Sequence, residues 1–377
     1  MNRYPSTLRF LAALALSAIA LPVSAGSQRA ETVLNYEGDL RPGQSLQVDN
    51  LVGSLIVRGD DTGGRVLIEA RVIAEAATEE EAEALRDAIA LRPTDGDGRR
   101  SITVEYPVRR HSGFRLPRSE REGVMDKWVT PLVRKSVVST EYDGQTVEVG
   151  GSKGSVAIAV HVKVTVPMDV RASFRQVVGS LHGIGLRGDL AFEAVDGEIL
   201  TEQIYGALEV RTGGGQVTVR KFGGETFRLQ TASGNVTLID VTADEAELLS
   251  GAGKIEADGI TAAKLAVDSG AGAVLLDRVD SETIRVDSES GVIDVAARLT
   301  RTREASIISR VGDVTLRVNP TTPFELKAEA ESGSVRHRDL AAEVIDEEKN
   351  SVHLTRGKGG AAVEIRTGKG AVTIRAI

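Results

Sequence analysis

The sequence contains no cysteine in its 377 residues, and only thirteen of them are aromatic: seven Phe, five Tyr and one Trp. Without cysteine the chain has neither disulfide bridges nor a cysteine-linked lipid anchor. Sugar-binding β-helices rely on exposed aromatic platforms, so the scarcity of aromatic residues counts against a carbohydrate-active enzyme. The net charge of −8 argues against a nucleic-acid partner. No hydrophobic stretch after Ala25 could span a bilayer, so we expect no transmembrane segment in the mature chain.

Glycine, by contrast, is abundant, with 40 residues, and many of these glycines are regularly spaced. Between Leu208 and Leu299 one short pattern returns at every nineteenth position. A fixed period of this kind is typical of stacked repeat architectures. The final glycines of the five units are Gly215, Gly234, Gly253, Gly272 and Gly291.

Each unit contains two short strands, one on either side of its final glycine. Apolar and polar residues alternate in both strands, as in Leu265 and Val267 before Gly272, and Val274 and Leu276 after it. Each strand therefore has one buried face. Two strands and two turns in a 19-residue unit leave no room for a crossover helix. We predict an all-β fold, a parallel β-solenoid (β-helix) with 18–21-residue coils, in which equivalent strands pair in parallel.

A Thr or Ser precedes each of these glycines by three positions, on the same face as the inward apolar residues. Stacking of equivalent residues predicts a ladder of hydroxyl groups along the solenoid. We expect these hydroxyls to be satisfied by hydrogen bonds at the corner of each coil, with no catalytic role.

Composition and periodicity divide the chain into four segments. Residues 1–25 are predicted to be a signal peptide, because two arginines precede an apolar run that ends at a small-residue cleavage site. Residues 26–105 are predicted to form N-terminal coils with one short capping helix, residues 106–146 a basic, arginine-rich insertion, and residues 147–377 the β-solenoid repeats. The signal peptide predicts an exported protein, located in the periplasm, at the cell surface or outside the cell.

The predicted helix follows Thr78, which forms a capping box with Glu81, and it ends before Pro93. An open solenoid end exposes strand edges that can pair with a neighbouring molecule. We therefore expect this helix to cover the open N-terminal end of the stack.

The repeat also occurs outside its most regular stretch. An early unit surrounds Gly53, and a strongly alternating strand over Val156–Pro167 precedes the main repeats. Later units end at Gly312, Gly333 and Gly370. The last interval, from Gly333 to Gly370, is close to twice the period, so it is predicted to hold two coils.

These parts, in this order, resemble the exported bacterial putative-adhesin family, a group of β-strand-repeat proteins of unknown function. The shared features are the signal peptide, the unit at Gly53 followed by a helix, the strand Val156–Pro167, and the run of units with Thr or Ser shortly before a glycine. The resemblance covers nearly all of Thr32–Ile377. It implies a β-strand-repeat architecture, and it supplies no catalytic motif and no cofactor.

Residues 99–135 contain ten basic and four acidic residues in an otherwise acidic chain, together with the single tryptophan. Guanidinium groups suit phosphate and carboxylate through paired hydrogen bonds, and tryptophan suits the boundary between an apolar and an aqueous phase. The candidate contacts with an anionic partner are Arg109, Arg110, Arg115, Arg118, Arg121 and Trp128. Alternatively, these arginines form ordinary ion pairs along the acidic flank of their own solenoid.

No motif predicts a catalytic, cofactor-binding or metal site. Gly183–Gly188 matches the dinucleotide-binding string, but it lies between predicted solenoid strands with no helix after it. The five histidines lack metal-ligand spacing. Asp268 and Asp287 occupy the same outward position in adjacent coils, and a solvated acidic edge explains them without a bound cation.

Three functions from different classes fit these observations. The first is an exported, non-catalytic, adhesin-like scaffold that binds an envelope macromolecule or an anionic surface. The second is a polysaccharide lyase or hydrolase, which requires carboxylates gathered with Arg or Lys across several coils. The third is a structural protein that assembles end to end through its terminal coils. We favour the first, and predict that the chain is not an enzyme, because the repeat and export signal come without a reactive constellation.

Overall fold

The computed structural model describes residues 27–122, 137–151 and 154–377. The predicted signal peptide, residues 1–25, lies outside these residues. Within them the fold consists of many mostly parallel strands and two helices. The predicted all-β class is confirmed.

Both helices lie in the N-terminal part of the chain: α1 (Glu79–Asp87) and α2 (Arg118–Glu122). The strands of this part are β1 (Gln28–Asp39), β2 (Ser45–Asp60), β3 (Arg65–Ala76), β4 (Ala90–Gly96), β5 (Arg99–Glu105), β6 (Gly113–Arg115), β7 (Val138–Tyr142), β8 (Gln145–Val149) and β9 (Val156–Pro167). The main stack contains β10 (Ala172–Ile184), β11 (Arg187–Gly214), β12 (Gln216–Thr231), β13 (Asn235–Ala252), β14 (Ile255–Ala271), β15 (Val274–Ser290), β16 (Ile293–Ala297), β17 (Glu304–Val311) and β18 (Val314–Val318). The C-terminal end contains β19 (Phe324–Ser332), β20 (Val335–Arg338), β21 (Glu343–Glu347), β22 (Ser351–Arg356), β23 (Ala361–Lys369) and β24 (Val372–Ala376).

Strands of the main stack pair in parallel with an almost constant offset. Val236 in β13 pairs with Ile255 in β14, and Ile255 pairs with Val274 in β15, each partner lying one repeat period further along the chain. Between β10 and β11 the offset is shorter by one position, as for Leu181 and Ile199. Because the offset equals the period of the sequence, equivalent residues stack on one another.

The stacking produces aliphatic columns that run through the interior. One column consists of residues at most 1% exposed: Val217, Val236, Ile255, Val274, Ile293 and Val314. Leu276, on the same strand face as Val274, is fully buried as well. The alternation in the sequence therefore identifies the inward face correctly. Burial of such columns is the main favourable term in the stability of the stack.

The repeated glycine forms a column of its own, and its close packing explains why the position is glycine. A Cβ atom on Gly272 would lie 2.2 Å from the carbonyl oxygen of Gly253, and Gly272 also has a φ of +128°. The residue therefore meets two requirements, a backbone conformation that L-residues avoid and a contact with no room for a side chain. In spatial order the column contains Gly53, Gly179, Gly197, Gly215, Gly234, Gly253, Gly272, Gly291, Gly312, Gly370 and Gly333.

The buried column of Thr and Ser lies beside the glycine column. The Thr231 hydroxyl accepts a hydrogen bond from the Gly234 backbone N–H at 2.8 Å. In four coils, however, the hydroxyl is buried and has no hydrogen-bond partner among the described residues: Ser250, Ser269, Ser288 and Ser309. The expectation that all these hydroxyls are satisfied is therefore wrong for the serines, because their oxygens do not reach a backbone group.

At the N-terminal end the spatial order of strands departs from their order in the chain. β2 lies between β10 and β9, with Gly53 opposite Gly179 on one side and Val160 on the other. β3 then pairs antiparallel with β9, and β1 pairs antiparallel with β3. The first half of β2 pairs with β5, which pairs antiparallel with β4. Two strand layers thus extend beyond the regular coils.

α1 packs against β1 and β3 at this end. It begins after Thr78, whose side chain accepts a hydrogen bond from the Glu81 N–H at 3.2 Å, and Ala82 is its fully buried residue. β1 is the outermost strand of its layer, and among the described strands it pairs with β3 alone.

The C-terminal end corrects one prediction. The interval between Gly333 and Gly370 does not hold two further coils; it contains the antiparallel pair β21–β22 and then β23. β23 and β24 insert between earlier strands, because β23 pairs with both β17 and β19, and β24 with both β18 and β20. β21 is exposed along its whole length, so it has no face to bury in a coil.

Candidate functional site

The candidate arginines lie on or beside a loop held between two buried aromatic residues. Tyr106 and Phe114 are 4% and 0% exposed, and their rings meet edge to face with centroids 5.7 Å apart. Between them the Pro107 carbonyl accepts hydrogen bonds from the backbone N–H groups of Arg110 and His111, both at 3.0 Å. The two aromatic anchors therefore fix where the loop projects its charged side chains.

A buried polar network holds Tyr106. Its hydroxyl lies 2.9 Å from Asn50 Oδ1 and accepts a hydrogen bond from the Val52 N–H at 3.2 Å. Asn50 Nδ2 in turn donates to Gln176 Oε1 at 2.9 Å. Burial raises the pKa of Tyr106 far above its usual range, so the phenol remains a neutral donor. Asn50 and Gln176 replace the Thr or Ser of the regular coils, at the same position before a repeat glycine.

A cleft of about 420 Å³ lies between α1 and this loop. Ala84, Leu85 and Ala88 form its helical wall, and Arg110, His111 and Arg115 provide its basic groups. Pro107, Val156 and Ala157 complete the apolar lining, and Glu75, Ala76, Ala77, Glu81 and Ser155 complete the rim. The site thus combines an apolar wall with two guanidinium groups and an imidazole.

The predicted arginines divide between this cleft and its surroundings. Arg110 and Arg115 line the cleft, and Arg115 Nε donates to the Ser155 carbonyl at 3.3 Å. Arg109 is exposed beside it, and Arg118 is exposed at the start of α2. Among the described residues, Arg109, Arg110 and Arg118 form no ion pair, and self-pairing of these arginines along the solenoid stays an alternative prediction. The Arg121 side chain and Trp128 lie outside the described part of the chain.

The carboxylate of Glu75 fixes α2 beside the cleft. It accepts hydrogen bonds from the backbone N–H groups of Arg118 at 2.7 Å and Ser119 at 3.0 Å, and Glu75 is only 5% exposed. Burial opposes the charged form, but the hydrogen bonds from Ser119 and Arg118 outweigh it and lower the pKa of Glu75. Glu75 therefore stays ionised, and its negative charge is engaged by the backbone N–H groups at the start of α2.

A serine–histidine–glutamate chain lies on the same side of the molecule. His161 Nδ1 is 2.9 Å from Ser54 Oγ, and His161 Nε2 is 2.9 Å from Glu120 Oε2. The hydrogen bond from His161 lowers the pKa of Glu120, so the carboxylate accepts and Nε2 carries the hydrogen. Ser54 lies in β2, which pairs with β9 and β10 on both sides. The backbone N–H groups beside Ser54 therefore lie within a strand that is paired on both edges. These hydrogen bonds from Ser54 through His161 to Glu120 attach α2 to the sheet.

A second concave surface, the charged groove, crosses β2, β10, β11 and β12 and encloses about 450 Å³. Arg171 and Asp189 form an ion pair across it at 3.0 Å, and so do Arg175 and Glu193 at 3.2 Å. Asp49 is 9% exposed, its Oδ1 has no hydrogen-bond partner among the described residues, and burial raises its pKa. No sequence pattern indicates this groove, because its members are scattered over several coils.

Asp268 and Asp287 are paired residues of β14 and β15, as the repeat predicts. Arg285 donates to Asp287, which offsets the charge of the acidic pair. Within the described residues no group of three or more His, Asp or Glu side chains could hold a metal ion. The described helices include none long and apolar enough to cross a membrane.

Residues 145–375, more than half of the chain, match the model of the family described as Toastrack DUF4097. The chain belongs to this family. The matched residues include the repeats and extend from β8 to β24. Most residues that line the cleft come before residue 145, outside the matched part of the chain. No curated protein matches the sequence.

Solved structures similar to this chain include a putative adhesin from Bacteroides fragilis, with 14% identity, a TM-score of 0.32, and coverage of 92% of this chain and 97% of that chain. A putative adhesin from Parabacteroides merdae has 10% identity, a TM-score of 0.36, and coverage of 92% and 96%. A putative lipid binding protein from Parabacteroides distasonis has 9% identity, a TM-score of 0.31, and coverage of 92% and 96%.

Proposed function

We propose that the chain is an exported, non-catalytic, adhesin-like scaffold that docks onto an anionic lipid surface of the cell envelope through the cleft. One observation carries the proposal: the apolar wall of α1 and the guanidinium groups of Arg110 and Arg115 line the same cleft. An anionic lipid presents the same combination, a charged headgroup joined to an apolar body.

The charges around the cleft support an anionic ligand. Glu75 is already engaged with the N–H groups of α2, while Arg109 and Arg110 are exposed. Each exposed arginine near an anionic membrane contributes about 1 kcal/mol of binding free energy. The acidic remainder of the chain would be repelled by the same surface, so the molecule has a preferred orientation.

In that orientation the solenoid would act as a spacer that extends away from the lipid surface. A stack of about ten coils is roughly 50 Å long at the usual strand spacing. Docked at its N-terminal end, the scaffold would project its long faces away from the lipid, where another macromolecule can bind them.

Vesicle co-sedimentation tests the proposal. The exported form of the chain would be mixed with phosphatidylcholine vesicles and with vesicles that also contain anionic phosphatidylglycerol. We expect salt-sensitive binding to the anionic vesicles only. The variant Arg109→Ala/Arg110→Ala should bind roughly tenfold more weakly or worse. The matched control is Arg41→Ala/Arg58→Ala, which removes the same charge from exposed positions elsewhere.

The control separates local recognition from net charge. An equal loss in the two double variants would show that the cleft has no special role. Binding to an anionic polysaccharide, with no binding to either vesicle, would replace the lipid by a glycan as the partner.

The charged groove supports a second candidate, a polysaccharide lyase or hydrolase. Carboxylates and arginines from several coils meet there, and Asp49 has the raised pKa expected of a proton-transferring group. Incubation with polyuronates and detection of new reducing ends tests it, with Asp49→Asn as the inactive variant and Asp268→Asn as the control. If the wild-type chain releases no new ends, this candidate is eliminated.

A further inference from the structure

We propose that β1 is a dimerisation edge, and that its partner is β1 of a second copy of this chain, paired antiparallel about a two-fold axis through Val33. The strand, Gln28–Asp39, pairs with β3 on one side and with no described strand on the other. A long unpaired edge offers a row of N–H and C=O groups to another strand.

The exposed residues of β1 are self-complementary in this register. Val33 is 50% exposed, and the two-fold axis places it against Val33 of the second copy. The same operation puts Arg29 opposite Glu37 twice, and Glu31 opposite Asn35 twice. Opposite charges directly across a strand pair stabilise it, and two copies of each contact form because the interface is isologous.

Neighbouring registers lose this match. An axis through Leu34 would place Arg29 opposite Asp39, an attractive contact, but it would also place Glu31 opposite Glu37, a like-charge contact that offsets it. An axis through Thr32 would place Glu31 opposite Val33 and leave Glu37 without a charged partner. Charge therefore selects the register centred on Val33.

The opposite face of β1 favours the same pairing. Leu34 and Tyr36 are half-buried and pack against the core. In the Val33 register the second copy brings Thr32 beside Leu34 and Ala30 beside Tyr36, which covers apolar surface that the monomer leaves partly in water.

Ion pairs already present in the monomer would extend across the dimer. Within one copy Glu37 pairs with Arg65, and Arg29 pairs with Glu31 at 3.0 Å. The contact between Arg29 and Glu37 of the two copies would join these pairs into clusters of alternating charge.

The other end of the stack lacks this complementarity. β21 exposes Val344 and Ile345, at 43% and 53%, but its remaining residues are acidic. Self-pairing about Ile345 would place Glu343 opposite Glu347, and pairing with the largely acidic β1 would also be repulsive. Charges of this kind protect an edge from association. The assembly is therefore a closed dimer through β1 and not a filament.

Single-cysteine variants test the register without interference, because the chain contains no cysteine. Under mild oxidation Val33→Cys should form a disulfide-linked dimer, since residues directly opposite in an antiparallel pair are close enough for a disulfide. Glu31→Cys and Asn35→Cys should each form no disulfide-linked dimer alone, because neither residue faces its own counterpart, yet the two variants should cross-link when mixed. Ile345→Cys, equally exposed at the other end, is the matched control and should not cross-link.

Sedimentation of charge variants provides the independent readout. We expect a dimer of the wild-type chain, a dissociation constant raised roughly tenfold or more by Arg29→Glu or Glu37→Arg, and recovery of the dimer in the double variant. A monomer at all concentrations would overturn the proposal. So would equal cross-linking at all four cysteine positions, or a double variant no better than the single ones.

Discussion

The regular coils from Gly197 to Gly291 and the N-terminal end around Gly53 share one cross-section, two strands joined at a glycine, yet they are stabilised in different ways. In the coils each column repeats one kind of residue, so close backbone contacts and the burial of aliphatic side chains contribute most of the stability. At the N-terminal end the corresponding positions hold Asn50 and Gln176, which form a hydrogen-bonded network with Tyr106. Repetition produces a uniform rod, whereas the unique contacts create the cleft. We therefore expect the functional site at the N-terminal end, where the repeat pattern is interrupted.

The strongest test of the regular coils is Gly272→Ala. The new Cβ would lie 2.2 Å from the Gly253 carbonyl oxygen at a φ of +128°, and we expect a loss of about 3–5 kcal/mol in unfolding free energy. Gly98→Ala is the control, because Gly98 also has a positive φ, +72°, but has no atom within 4 Å of an added Cβ; it should cost about 1 kcal/mol. Urea unfolding followed by circular dichroism measures both. Equal losses would mean that backbone conformation, and not the close contact, requires glycine.

At the N-terminal end the corresponding test is Tyr106→Phe. The ring packing with Phe114 would remain, but Asn50 Oδ1 would lose the hydroxyl that lies 2.9 Å away. A buried polar group without its partner costs about 1–3 kcal/mol. Urea unfolding would give the loss, and hydrogen exchange in β2 and β5 would locate it. A variant as stable as the wild type would show that the network contributes specificity alone.

Glu75→Gln sharpens the comparison through pH. Because hydrogen bonds lower the pKa of Glu75 below its ordinary value of 4.5, its stabilising contribution is complete above pH 4.5 and is lost as the pH falls through the folded-state pKa. The variant should be about 1 kcal/mol less stable than the wild type near neutral pH, and the difference should vanish in acid. Urea unfolding of the wild type and the variant at a series of pH values measures this difference. A constant difference across the pH range would contradict the role assigned to the charge.

The smallest expected effect belongs to Ser269→Ala. Its buried hydroxyl has no partner among the described residues, so removing it should change the unfolding free energy by less than about 0.5 kcal/mol or increase stability. Thr231→Val, at the same repeat position, removes the acceptor of the Gly234 N–H and should cost about 1 kcal/mol. If the serine variant is destabilised as much as the threonine variant, the serine hydroxyl is bonded in solution.

Much of the fold could be predicted because local and long-range patterns coincide in a solenoid. The spacing of glycine and the alternation around Val274 and Leu276 predict the strands, their buried faces and their parallel stacking. The helix after Thr78 is predicted as well. The strand pairing at the two ends could not be predicted in this way. The pairing of β2 with β10 joins residues far apart in the chain, such as Leu46 and Ala172, and the periodic pattern does not indicate which distant strands pair.

The candidate site was likewise predictable only in part. The excess of arginine near Arg110 is visible in the composition, and Arg110 and Arg115 do line a cleft. Sequence patterns do not predict the residues that complete it, because Glu75, Leu85 and Ala157 belong to three separate elements. Leu85 belongs to the predicted helix, and the structure shows it half-buried at the cleft wall.

By itself, the sequence determined the repeated cross-section, since its constant period decides which side chains point inward and which atoms stack. Only the tertiary structure decided which strands lie at the ends and which residues meet there. The physical reason is that strand stacking depends on a local pattern repeated in every coil, while the end strands are selected by single contacts between distant residues. Those contacts place α1 beside Arg110 and leave the outer edge of β1 unpaired among the strands that the structure describes.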